Sequence, residues 1–84
     1  MTLEQAEIYD DLMLLGEKST GMFALVAAAC GVEFDADTEA EPEWMHAAEQ
    51  IADYLSRGRD RATHMLLQTL RREIADVKLT LRAS

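Results

Sequence analysis

Glu43 and His46 stand three residues apart in Glu43-Trp-Met-His46, the spacing at which di-iron bundles place a carboxylate and an imidazole on one helix face. A complete centre also needs an inward glutamate on the neighbouring helix at the same level. In a hairpin that level falls at residues 27–30, which contain no acid. Cys30 with His46 would supply two zinc ligands, too few within one chain. Asp60 and His64, four apart, match an ordinary surface pair on a helix. No metal or other cofactor is expected.

Three further patterns invite chemistry and fall short of it. Gly16-Glu-Lys-Ser-Thr-Gly21 has the composition of a phosphate loop, but Met22 and Phe23 stand where that motif needs Lys and Ser/Thr. Asp35-x-Asp37-x-Glu39 imitates the start of a calcium loop, yet Ala40 replaces the turn glycine and His46 the closing glutamate. Cys30 lies between alanines and an acidic segment, a setting that raises a thiol pKa and leaves a small core residue. With two histidines, both in expected helices, no catalytic triad assembles. No catalytic residue is assigned, and the chain is expected not to be an enzyme.

What remains is charge. Residues 33–43 hold six carboxylates in eleven positions, with Trp44 at their edge. Tryptophan is frequent among interface hot spots, so Asp35, Asp37, Glu39, Glu41, Glu43 and Trp44 form the candidate partner-binding surface. The competing reading has Trp44 capping a core while the acids solvate a loop. Arg57, Arg59 and Arg61 form a second cluster. It is either an anion site or a set of salt bridges to the acidic first helix or its dimer mate, and the latter is favoured.

These residues need elements to hold them, and the periodicity is helical. Ile8, Leu12, Leu15, Ser19, Met22, Val26 and Ala29 recur at steps of four and three, one face of a helix. Thr2 and Gln5 match a capping box, and Gly31 suits a left-handed C-terminal position. Two glycines inside such a helix would cost roughly 1 kcal/mol each. Residues 16–21 could instead form a loop with Thr20 capping a second helix, but the stripe crosses them in phase and favours one helix over about 2–30. Gly16, Ser19 and Thr20 would let another helix approach closely. Residues 32–41 read as an acidic connection. Pro42 fits a first helical turn, with Glu43 at the positive end of the dipole.

From there a helix is expected over about 42–82. Trp44, Ala48, Ile51 and Leu55 form its first stripe, continued by Gly58, Ala62, Leu66, Leu70, Ile74, Val77 and Leu81. The stripe rotates near Gly58. Either the helix stutters there, or Gly58 ends one helix and Asp60 caps another; the continuous form is slightly favoured. The fold class is all-α, one domain over residues 1–84, built as a helical hairpin or a three-helix bundle. A long hairpin leaves Tyr9, Phe23, Trp44, Tyr54, Met65 and Leu67 outside a single seam. Small domains also bury a low fraction of their surface. A homodimeric antiparallel four-helix-type bundle answers both problems.

Composition sets the outer limits. The 84 residues are 49% hydrophobic and 29% charged, with one proline and four glycines, a folding composition and a poor one for a turn-rich β protein. One cysteine cannot form an internal disulfide. The N-terminus lacks a signal-peptide pattern, and the apolar run over residues 22–30 is far short of the roughly 20 residues a membrane helix needs. Net charge is −8, split as −12 over residues 1–53 and +4 over residues 54–84. Direct nucleic-acid binding is disfavoured, because phosphate affinity comes from cations.

The expectation is a cytoplasmic, non-enzymatic, acidic protein–protein interaction module. It would inhibit or regulate a basic, nucleic-acid-binding partner protein, and a phage-borne inhibitor fits the type. The alternative is an intracellular chaperone or assembly adaptor that holds a client helix in an apolar groove. Salt separates the two, since electrostatic capture weakens with ionic strength.

Overall fold

Helix starts are decided by side-chain oxygens that satisfy otherwise orphaned backbone N–H groups. In the computed structural model, which describes residues 2–83, Thr2 opens α1 (Leu3–Lys18). Its Oγ1 accepts from the Gln5 N–H at 3.1 Å while Gln5 Oε1 accepts from the Thr2 N–H at 3.5 Å. The capping box read from the sequence is formed.

The single helix expected over 2–30 is two helices. Ser19 is extended, with φ −153° and ψ 97°. Its N–H closes α1 on the Leu15 carbonyl at 2.7 Å, and its Oγ opens α2 (Thr20–Ala29) by accepting from the Met22 N–H at 3.2 Å. A serine between two nearby glycines offers the backbone a local hydrogen bond that competes with the helix. Ser19, not Thr20, is the cap. At the far end, Gly31 has φ +71°. The Gly31 N–H reaches Ala28 O at 3.1 Å and the Val32 N–H reaches Ala27 O at 2.9 Å, the paired bonds of a Schellman closure.

The second expected helix is also two. α3 (Glu41–Arg57) carries Pro42 in its first turn and ends at Gly58, whose N–H bonds Tyr54 O at 3.0 Å. α4 (Arg61–Ala83) starts after Asp60. Asp60 Oδ1 accepts from Thr63 Oγ1 at 2.5 Å, and this bond, with others to backbone N–H groups, holds the carboxyl below its ordinary range. A continuous helix over residues 42–82 would run about 60 Å at 1.5 Å per residue, whereas the longest dimension of the molecule is 36 Å. The break resets the helical phase. Thr63 and Leu67 are buried in α4, while Ala62 is exposed and Leu66 only half-buried.

The four helices enclose one core, and no strand occurs among the described residues. α1 and α3 form the largest interface and run antiparallel, with Gln5 bonded to Asp53 at one end and Gly16 against Trp44 at the other. Ile8, Leu12 and Leu15 of α1 meet Ala48, Ile51 and Leu55 of α3, with Phe23 and Val26 of α2 and Leu70 and Ile74 of α4 closing the sides. The alanines of α3 allow this close approach. Phe23 and Leu67, expected to lie outside a hairpin seam, are buried here. A single chain thus supplies the enclosure for which the hairpin reading required a second copy.

Gly58 is the tightest point of the α3–α4 turn. A Cβ there would lie 2.6 Å from Thr63 Cβ, on the side chain that holds Asp60. Gly58→Ala is therefore expected to destabilise by about 1–3 kcal/mol, the usual scale of overpacking. Gly21, by contrast, sits inside α2 with open space around it, and Gly21→Ala should be neutral or slightly stabilising. Urea melts of both variants check this pair; equal effects would contradict the packing at Gly58.

Candidate functional site

The acidic connection is held down by its few apolar side chains. Val32, Phe34 and Thr38 are half-buried, while Glu33, Asp35, Asp37, Glu39, Glu41 and Glu43 are all exposed. The carboxylates at every second position of the non-helical stretch, Glu33, Asp35, Asp37 and Glu39, are thereby sorted to the solvent side, and Glu41 and Glu43 continue the exposed row into the first turn of α3. Phe34 packs edge-on against Phe23 and Trp44, with ring centroids 4.9 and 4.5 Å away, and Phe23 and Trp44 are 4.7 Å apart. Such aromatic contacts are each worth about 0.5–1.5 kcal/mol beyond area burial.

Local hydrogen bonds shape the remainder. Asp35 Oδ1 accepts from the Asp37 N–H at 3.0 Å, and Thr38 Oγ1 accepts from the Ala40 N–H at 3.2 Å. Trp44 Nε1 donates to the Thr38 carbonyl at 3.1 Å. Trp44 is thus half-buried and ties the connection to α3, which is the core-capping role that the sequence offered as its competing reading. It is not a free-standing anchor. Its ring rests on Gly16, where a Cβ would lie 2.9 Å from Trp44 Cζ3. The close approach expected of the small residues in the first thirty is realised at that position.

The structure gathers five of the six proposed partner-binding residues, the carboxylates, along one solvent-facing segment. No ion pair joins any of them to a cation among the described residues. Two concavities flank the start of α3. One, of about 440 Å³, has Phe34, Pro42 and Ala47 as its apolar part and Glu33, Asp35, Glu43 and His46 around them. The other, of about 280 Å³, is lined by Met13, Gly16, Trp44, Glu17, Glu39 and Glu41. Sequence reasoning missed Phe34 and Glu17. Phe34 could have been found as the one large apolar residue inside the acid run; Glu17 joins the site only because α1 and α3 are antiparallel.

Within the chain the arginines form no salt bridge to the acidic α1 among the described residues, contrary to the expectation from sequence. Arg57 Nε pairs with Asp53 Oδ1 at 2.8 Å, one turn back in its own helix. Arg59 and Arg61 are exposed, and no ion pair joins them to α1 among the described residues. The cross-helix pair that does form is Lys78 with Asp11 at 3.5 Å. With Lys78 exposed and Asp11 half-buried at the surface, it contributes about 0–1 kcal/mol.

The other residues read for chemistry are dispersed. His46 contacts Gln50 through their side-chain nitrogens at 2.8 Å and lines the Phe34 concavity, whereas Cys30 lines a separate one beside Tyr54 and Thr63. No group of three or more His, Cys, Asp or Glu side chains converges with metal-binding geometry among the described residues. None of the described helices is long and apolar enough to cross a membrane.

Cys30 is buried, and burial pushes its thiol up to about 11 from 9.0. The cause is desolvation rather than the neighbouring acids. A folded pKa above the unfolded one means that the neutral thiol supports the fold fully below about pH 9, and that this support is lost as pH rises toward 11. At pH 8, labelling of Cys30 by a thiol-reactive disulfide should be more than tenfold slower in the folded protein than in urea. Equal rates would place the thiol at the surface.

Comparison of the chain with protein-family models, with curated proteins and with solved structures finds no match.

Proposed function

We propose that the protein is a non-enzymatic binding module that captures a basic, nucleic-acid-binding partner protein through its acidic connection and thereby inhibits or regulates it. One observation carries this reading: six carboxylates face solvent from a segment fastened to the core by Phe34 and Trp44, and among the described residues no cation is ion-paired with them. A row of fixed negative charges presents to a cationic groove what a phosphate backbone would present. Because the scaffold is already ordered, little conformational entropy is lost on binding. A partner that supplies cations also relieves the mutual repulsion of the acids. In a reducing compartment such as the cytoplasm, Cys30 remains a thiol and takes no part.

The chaperone alternative needs a continuous apolar groove. The large exposed apolar side chains are instead distributed over all four helices, as Leu3, Leu25, Met45, Tyr54, Met65, Leu79 and Leu81. That distribution favours charge as the recognition element.

Self-association is proposed at the end of α4. The buried stripe of Leu70 and Ile74 continues there into half-buried Val77 and into Leu81, which is 44% exposed. Arg71, Arg72 and Arg82 beside it have no ion-pair partner among the described residues, so the acidic α1 of a second copy complements this face. Light scattering after size exclusion should report about twice the chain mass at micromolar concentration, and Leu81→Glu should return it to one chain. A monomer throughout that range removes the dimer.

Affinity capture from the native cell, followed by mass spectrometry, tests the main reading. Basic proteins retained by the wild type should be lost when Glu39, Glu41 and Glu43 are changed together to Lys. Helical content should persist while affinity falls tenfold or more, about 1.4 kcal/mol. Capture that survives this reversal and added salt would move the function to the helix faces.

A further inference from the structure

The concavity beside Trp44 is small and lined by both apolar and acidic residues. Its volume of about 280 Å³ lies just below the roughly 300–1,000 Å³ of sites that enclose whole drug-sized ligands. It suits one long side chain. Met13 and Gly16 of α1 and the indole of Trp44 supply the apolar surface, and Glu17, Glu39 and Glu41 bring carboxylates from three separate segments: the end of α1, the connection and the start of α3. All three are exposed and none is ion-paired among the described residues.

We infer that this concavity is a socket for a single arginine side chain of the basic partner. The proposal rests on the reading that the acidic connection engages such a partner, and it adds α1 to the binding surface. Charge complementarity selects a cation. The indole wall selects a guanidinium over an ammonium, because a planar, weakly hydrated cation stacks on an aromatic ring at lower desolvation cost. Carboxylates from different directions match the forked donors of arginine, whereas lysine offers a compact point charge. Met13 and Trp44 offer apolar surface to the methylene stem that long cationic side chains lay along hydrophobic surface. Gly16 seats the indole that forms this wall, since a Cβ there would lie 2.9 Å from Trp44 Cζ3.

Trp44 is the only tryptophan, so its emission reports directly on the socket. Hexa-arginine and hexa-lysine peptides are titrated at one fixed ionic strength, with binding followed in parallel by calorimetry and by Trp44 fluorescence. The variants are Glu17→Gln and, as a control on the same helix, the exposed Glu4→Gln; circular dichroism confirms that both remain helical. Hexa-arginine is expected to bind at least threefold tighter than hexa-lysine and to change Trp44 emission saturably. Glu17→Gln should weaken it at least threefold, while Glu4→Gln leaves it unchanged. Calorimetric binding with no change in emission, equal affinity for the two peptides, or equal effects of the two variants overturns the socket. Each of these leaves the acidic connection as the binding surface. Absence of hexa-arginine binding by either measurement overturns the socket as well, and the charge-reversal capture experiment then judges the wider reading by itself.

Discussion

Phe23, Phe34 and Trp44 meet with centroids less than 5 Å apart, and each ring comes from a different stretch of chain: α2, the acidic connection and α3. Beneath them Gly16 brings in α1. Four segments are thus fixed against one another at a single point. Without it the connection would have little to hold it, since its carboxylates repel and its hydrogen bonds are local turns. The order of the acidic surface is therefore borrowed from the aromatic contact, and the position of every proposed binding residue depends on that contact.

The two interruptions, at Ser19 and at residues 58–60, decide the shape. Helices running straight through would give a long pair with much apolar surface uncovered. Breaking each once folds the chain into four shorter helices around a shared core, with a radius of gyration of 12.2 Å, near the roughly 12 Å expected of a compact chain this long. Each break uses a hydroxyl or carboxylate cap and a glycine nearby. The caps contribute about 1 kcal/mol apiece, a modest term that is enough to redirect helices whose packing then contributes far more.

Much of this was legible in the residues. Helical class, the Thr2–Gln5 box, Gly31 as a left-handed closure and Pro42 at the start of α3 all follow from local chemistry, and local chemistry is what sequence displays. The phase of α1 was also readable, because Ile8, Leu12 and Leu15 sit well inside one element. The breaks are harder to read, because a periodic stripe can cross a cap site without a visible fault; Ser19 is in phase with its neighbours and still ends a helix. In α4 the stripe through Ala62 and Leu66 was off by one residue, since a turn restarts the count. The candidate site was half visible. Its carboxylates announce themselves, but the burial of Trp44 and the presence of Glu17 depend on antiparallel pairing of α1 with α3, which no local pattern encodes.

That pairing has a consequence for how the molecule comes together. The dominant interface joins the first helix to the third, so neither half of the chain possesses a core of its own. Cleavage within the connection would leave two helix pairs, each deprived of the partner that covers most of its apolar surface. Burial of those surfaces would favour reassembly of the two pieces into a noncovalently restored protein. The connection then serves chiefly to keep the partners at high effective concentration, and its composition is free to answer to solvent and binding rather than to the core, except at Phe34.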